Sequence, residues 1–297
     1  SMHKPQVRSF WDNAVYHTGN MEVCALTGNK DYLQYSIDWA DYNQWKGATS
    51  NNKAEWRSTY GESPEYVLFG DWQVCFQTYA DLYKLDPDTI KIARAREVME
   101  YQMSTSKLDY WHWVDALYMV MPVMVKMYDI TKNPLYLEKL HQYLTVTDSI
   151  MYDREVGLYY RDAKYPYPFH KTINGKKDFW SRGDGWAFAA FAKVLKQLPA
   201  EDKYREEYIT RFQTMAKSIA ACQQPEGYWT RSLIDPEQAP GPETSGTALF
   251  TYGFLWGINN GLLNADIYSP IVEKAWNYLK TTALQADGKI GYIQPVG

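Results

Sequence analysis

Cysteine is scarce here: Cys24, Cys75 and Cys222 are the only three in 297 residues. They are odd in number and far apart, with no CxxC pair and no histidine partner, which excludes a disulfide framework and a zinc site. The chain also lacks a basic run and an acidic tail; 31 Lys and Arg stand against 35 Asp and Glu, a formal net charge of −4. Without a basic stripe, nucleic acid is not an expected partner, although a few local Arg and Lys can serve a small anion. No apolar stretch approaches transmembrane length, so no membrane partner is expected, and no signal peptide is visible. Ser1-Met2 reads as the remnant of a cleaved tag, which leaves the compartment of a soluble bacterial protein open between periplasm and cytoplasm. Nothing resembles a metal cluster, a P-loop, a dinucleotide fingerprint or a nucleophile elbow, so neither cofactor nor metal is expected. Oligomeric state has no signature.

What is abundant is aromatic. Trp and Tyr number 12 and 26, lifting the aromatic share to 16%. Core filling is the plain explanation, yet these rings also carry a polar edge and suit half-wet clefts where a flat apolar face is useful. Carbohydrate sites are of that kind.

Helical periodicity dominates, and the predicted helices fall into pairs: 12–26 with 30–45, 71–85 with 88–103, 115–130 with 134–150, 184–198 with 203–222, and 246–259 with 268–284. Connections within pairs are short and punctuated by Pro and Gly. Thr27-Gly-Asn-Lys-Asp-Tyr-Leu33 and Thr131-Lys-Asn-Pro-Leu-Tyr-Leu137 are near copies, the mark of a repeated helical hairpin. Connections between pairs, 46–70, 154–183 and 223–245, are long, polar and rich in Gly, Pro, Asn and Tyr. Loops of that length are usually functional. Hairpins packed side by side in a ring place the short turns on one face and the long loops on the other. The fold class expected is therefore all-α, an α/α toroid with its cleft under the long loops.

Asp71 in FGDWQVC and Asp115 in HWVDALYM each begin the first helix of a pair, at the long-loop rim. A carboxylate at a helix start has a mundane role in capping. That role fits Asp115 less well, because Trp111, Trp113, Tyr118 and Met119 surround it with apolar surface. Burial and a second carboxylate raise a carboxyl pKa, the condition for a general acid near neutral pH. In Trp180-Ser-Arg182-Gly-Asp184-Gly-Trp186 the glycines are expected to let the backbone pass close to a ligand before a helix. Arg182 at that helix start forms a carboxylate receptor, and Trp186 shares its face; the alternative is a structural Arg–Asp bridge with two core tryptophans. Arg161 and Asp162 in the Tyr-rich segment, Trp11 and His17 at the rim of the first pair, and the Thr244 and Ser245 hydroxyls complete the candidate substrate contacts. Glu243 to Thr247 also reads as a helix cap.

These residues resemble the unsaturated glucuronyl and rhamnogalacturonyl hydrolases, glycoside hydrolase families 88 and 105, with family 105 the nearer. The resemblance spans nearly the whole chain and rests on WDNAVYHTGNMEVCALTGNKDYL, FGDWQVCFQTYADLY, WHWVDALYMVMPV, GLYYRDAKY, FWSRGDGW, PETSGTA and GKIGYIQPVG. It implies an (α/α)6 barrel that uses no metal and acts on the products of polysaccharide lyases. It further implies that Asp115 is the general acid and base, that Asp71 assists, and that Trp180, Arg182 and Trp186 hold the unsaturated uronate. Two departures stand out: Arg161-Asp162 where relatives often carry a histidine, and Asp184 where Asn is common, adding a negative charge near the site. Relatives also usually have one helix before Trp11 and another after Gly297, so the sixth hairpin is expected to be incomplete here.

The expected function is removal of a 4,5-unsaturated uronic acid from the non-reducing end of an anionic oligosaccharide by hydration of its double bond. Two alternatives remain open at this point: a conventional inverting glycosidase on the same toroid, with its carboxylates spaced to admit water, and a non-catalytic oligosaccharide-binding protein.

Overall fold

The computed structural model describes residues 5–295. Ser1-Met2, read as a tag remnant, and the last two residues of GKIGYIQPVG lie outside the described residues. Ten α-helices occur among the described residues, in hairpin order. They are α1 (Trp11–Thr27) and α2 (Lys30–Tyr42), α3 (Cys75–Leu85) and α4 (Ile90–Ser104), α5 (Asp115–Thr131) and α6 (Leu135–Met151), α7 (Ser181–Gln197) and α8 (Arg205–Ala221), and α9 (Thr244–Asn259) and α10 (Ala265–Tyr278). Tyr152–Asp153 (β1) pairs antiparallel with Leu158–Tyr159 (β2), an excursion between α6 and α7. The chain divides into two compact units, residues 1–111 with 119–143 and residues 112–118 with 144–297.

In the first unit the repeated turns match down to their hydrogen bonds. The Thr27 hydroxyl donates to the Val23 carbonyl and accepts from the Asn29 amide; Thr131 does the same with Met127 and Asn133. The Asn29 and Asn133 side chains then cap α2 and α6 by accepting from the Asp31 and Leu135 amides, at 2.9 and 3.1 Å. Gly28 and Lys132 take the left-handed backbone between them, φ 67° and 56°. The glycine does so without strain, whereas the lysine bears a modest cost. Behind α1 to α4 lies an aromatic core that includes Trp39, Tyr79 and Phe76, all buried. Truncating a ring such as Trp39 to alanine is expected to cost roughly 3–5 kcal/mol.

In the second unit α7 is buried from Ser181 to Leu195, whereas α8 buries the stripe Tyr208, Phe212, Met215, Ala216 and Ile219. Such a stripe, with polar residues on the other face, is the usual pattern of a surface helix. The α7 and α9 helices approach closely because glycines stand at their crossing. A Cβ on Gly246 would lie 2.8 Å from the Ser181 carbonyl carbon, and one on Gly185 would lie 3.0 Å from the Leu249 Cβ.

This corrects the expected helix start. The α7 helix begins at Ser181, not 184, so Gly183 and Gly185 lie inside it and serve helix packing, not close passage of a ligand. Asp71 is likewise displaced. It sits in a 3₁₀ turn, Gly70–Trp72, ahead of α3, which starts only at Cys75.

Candidate active site

Asp115 opens α5 at a point fixed by the extended segment after β2. The Val114 amide donates to the Arg161 carbonyl at 2.9 Å, and Trp113 bridges antiparallel to Asp162. That pairing sets Arg161 and Asp162 beside the start of the helix. Asp115 is half-buried, and its Oδ1 is sealed from solvent without a hydrogen-bond partner among the described residues. Burial raises its pKa to about 7. The Arg161 and Arg182 charges pull against that rise, and Asp162 adds to it. A carboxyl that holds its proton near neutrality while two guanidinium groups act on it can donate a proton beside an anionic ligand.

Arg182 stands on the first turn of α7 and is gripped from two sides. Its Nε donates to the Ser245 hydroxyl at 2.9 Å, and Nη2 donates to the Gln294 carbonyl. Nη1 has no partner among the described residues. The guanidinium also lies 5.3 Å from the centre of the Trp180 ring. Trp180 is held by its indole N–H, which donates to the Gln294 Oε1 at 2.7 Å, and by an extended bridge to Ser232. The neighbouring ladder continues with the Ser181 amide on the Arg231 carbonyl. Asp178 anchors this strip, accepting from Arg231 at 2.8 Å and Ser232 at 2.9 Å, with His170 at 3.0 Å. Val114 and Trp180 both come within 3 Å of where a Gly183 Cβ would be, which leaves room only for glycine between the Asp115 and Trp180 segments.

The start of α9 completes the grip. Glu243 caps that helix, accepting from the Ser245 amide at 3.1 Å and the Gly246 amide at 2.7 Å, as its position suggested. The Ser245 hydroxyl donates to the same carboxylate, so the oxygen lone pairs of Ser245 are turned to Arg182. Gln294, which sequence reasoning did not single out, ties all three pieces together: its amide N–H donates to Glu243 at 3.3 Å. The motif GKIGYIQPVG was its only trace in the sequence.

Three other expected contacts need correction, those of Asp184, His17 and Thr244. Asp184 lies two residues from Arg182 on a helix, hence on nearly the opposite side. It is fully buried and accepts the Tyr159 amide at 2.8 Å, and burial raises its pKa well above the usual carboxylate range. Closed off from solvent on the far side of α7, it is not placed where the expected substrate contact requires it. His17 is 2% exposed, stacked on Trp39 with ring centres 4.0 Å apart and paired with Ser36 at 3.0 Å. Burial lowers its pKa to about 4, so it is a neutral core residue between α1 and α2. The Thr244 hydroxyl is engaged by Tyr278 at 2.7 Å and the Gly291 carbonyl at 2.8 Å, which makes it a fastener for the 291–294 segment. Trp186 does share Arg182's side of α7, but it is 6% exposed and packs on Tyr118 at 4.7 Å. It presents at most an edge. Trp11 is the half-buried first residue of α1, and Asp71 is buried in the first unit.

Among the described residues no cluster of His, Cys, Asp and Glu is arranged to hold a metal ion, and no helix is long and apolar enough to cross a membrane. The sequence matches Glycosyl Hydrolase Family 88 over residues 2–297. It is 30% identical to an unsaturated 3S-rhamnoglycuronyl hydrolase of Formosa agariphila, across 97% of this chain and 77% of that protein. A protein of the same description from Alteromonas sp. (strain LOR) is 36% identical over 187 residues, 63% of this chain. The match spans less than half of the Alteromonas protein, 45%. A solved structure described as a polysaccharide lyase is 71% identical, with a TM-score of 0.97 over 98% of this chain and 82% of its own. A structure from Salmonella enterica, described as a possible member of the GH105 family, shares the fold at 20% identity, with a TM-score of 0.78. The helical hairpins are thus those of the α/α toroid class, and the chain belongs to Glycosyl Hydrolase Family 88.

Proposed function

We propose that the chain removes a 4,5-unsaturated uronic acid from the non-reducing end of a lyase-generated oligosaccharide by hydrating the C4=C5 bond. The observation that carries this reading is Asp115: a carboxyl with a pKa of about 7, one oxygen sealed, facing the charges of Arg161 and Arg182. The relatives named unsaturated 3S-rhamnoglycuronyl hydrolases support it.

The double bond is an enol ether, so protonation at C4 places positive charge on C5 and the ring oxygen. Asp115 gives that proton. The carboxylate so formed takes a proton from water as the water oxygen bonds to C5, which restores the acid. The resulting hemiketal opens, C1 is left as a hemiacetal, and the remaining sugar departs. General acid–base assistance of this kind contributes about 10²–10⁴-fold. Arg182 pairs through Nη1 with the uronate carboxylate, Trp180 offers its face to the ring, and Arg161 and Asp162 border the same proton-transfer position. Trp186 supports the sugar site at its edge; for Asp71 as the assisting aspartate and Trp11 as a substrate contact, both in the first unit, the reading rests on the sequence alone.

A second reading comes from the 71% identical structure described as a polysaccharide lyase. A lyase removes the C5 proton and expels the C4 substituent, which creates the double bond that a hydration consumes. Ultraviolet absorbance of the conjugated C4=C5 bond separates the possibilities. Loss of absorbance from lyase-digested polysaccharide supports the hydrolase. A gain from intact polysaccharide establishes the lyase. Cleavage of saturated substrates at constant absorbance identifies a conventional glycosidase, and binding without turnover identifies a binding protein.

A further inference from the structure

Gln294 joins the three pieces that form the receptor around Arg182, and its side chain is used at one end only. The indole nitrogen of Trp180 is a donor and cannot accept. The atom 2.7 Å from it must therefore be the Gln294 carbonyl oxygen, which fixes the amide's orientation by chemistry. The geminal Nε2, with two N–H groups, has no partner among the described residues. The backbone is equally constrained: the Gln294 carbonyl accepts from Arg182 Nη2 and its amide donates to Glu243. Two residues earlier the Tyr292 carbonyl accepts from the Thr244 amide at 3.0 Å. Gln294 is half-buried, so its idle donor is neither locked in the core nor loose in solvent. The free donors of the region are then Arg182 Nη1 and Gln294 Nε2, on groups bonded to each other.

We propose that Gln294 is a substrate-binding residue that donates, alongside Arg182, to the carboxylate of the uronyl ring. This rests on the uronyl reading of the site given above. Arg182 would supply the charge and Gln294 the second, neutral donor, while the Trp180 contact keeps the amide from turning its oxygen toward the anion. The residue therefore selects for an acid over an ester or a neutral sugar.

The test uses the full chain with Asp115→Asn as the parent, so that binding is read without turnover. Affinity is measured calorimetrically for a 4,5-unsaturated uronyl disaccharide and for its methyl ester. Gln294→Glu keeps an oxygen for the Trp180 indole but removes both donors. It is expected to weaken binding of the acid about 10–100-fold, the usual effect of losing a hydrogen bond to a charged group, and to affect the ester much less. Gln294→Met, which also frees the indole, should weaken both ligands. Parent-like affinity for the acid in Gln294→Glu, or equal losses for acid and ester, overturns the proposal. Turnover by the otherwise unaltered chain is followed separately. Failure of turnover with binding intact removes the hydrolase reading while the affinities still decide on Gln294. Failure of the parent to bind the acid overturns both.

Discussion

Asp115 and Asp184 are two carboxyls that share a first impression and differ in everything that matters for chemistry. Each opens or nearly opens a helix, each has an oxygen sealed without a partner, and burial raises the pKa of each. Around Asp115, however, stand Arg161, Asp162 and Arg182, and the residue keeps some contact with solvent. Asp184 has only the Tyr159 amide and no exposure at all. A raised pKa is thus a sign of burial first. It becomes a sign of function where charges of the opposite sense and a route for protons accompany it.

The largest effect that sharpens this contrast is expected from Asp115→Asn. Turnover should fall about 10²–10⁴-fold, the contribution of a general acid, with affinity for the substrate near normal. Activity within tenfold of the unaltered chain would remove Asp115 from the mechanism. Asp71→Asn should also lower kcat severely; a change confined to KM would make Asp71 a binding group.

Next comes Arg182→Lys. An ammonium cannot hold Ser245, the Gln294 carbonyl and a ligand carboxylate in one plane, so KM should rise about 10–100-fold. An equal rise for the esterified substrate would show that Arg182 does not read the carboxylate.

The pH dependence follows from Asp115 alone. Its proton is present below about 7 and lost above, so kcat/KM should fall up to tenfold per pH unit on the alkaline side. Stability has a matching sign. The folded pKa lies above the unfolded one, so the folded state binds the extra proton and loses relative stability as pH rises from about 4 to about 7. Asp115→Asn should therefore melt higher than the unaltered chain at pH 8, by on the order of 2 kcal/mol, and not at pH 4. The reverse order would mean that the carboxylate is stabilised in the fold.

The smallest effect is expected at Asp184. Asp184→Asn keeps the acceptor for the Tyr159 amide, and burial already disfavours the charge that the substitution removes. Turnover within about threefold and stability within ~1 kcal/mol are expected; a loss as large as that of Asp115→Asn would erase the distinction between the two carboxyls.

Much of the fold was legible because its signals are local. Helix pairing follows from the apolar period, and the Thr-x-Asn turns repeat in sequence and in hydrogen bonds alike. The start of α7 was misread for a physical reason: glycine reads as a breaker, yet Gly183 and Gly185 are there because Val114, Trp180 and Leu249 occupy the space of a side chain. The same gap between local and tertiary signals explains His17, whose place at the rim was inferred from position along α1, while its partners Ser36 and Trp39 come from α2. Arg182 was legible only as a cation near the start of a helix, and the structure places it on the first turn of α7. Gln294 was not legible, since its bond to Trp180 closes a loop of 114 residues and no periodicity reports such a closure.

The glycine crossing of α7 and α9 bears on how such a site can change. Ser181 and Gly246 touch directly behind Arg182 and Ser245, with no side chain to cushion them. A single added methyl group at 246 would act as a wedge and shift the guanidinium relative to its serine while every ligand-facing residue stayed the same. Grip on the anion is thus adjustable from the rear of the site, and lineages could drift in substrate preference through a packing position that no inspection of the cleft would flag.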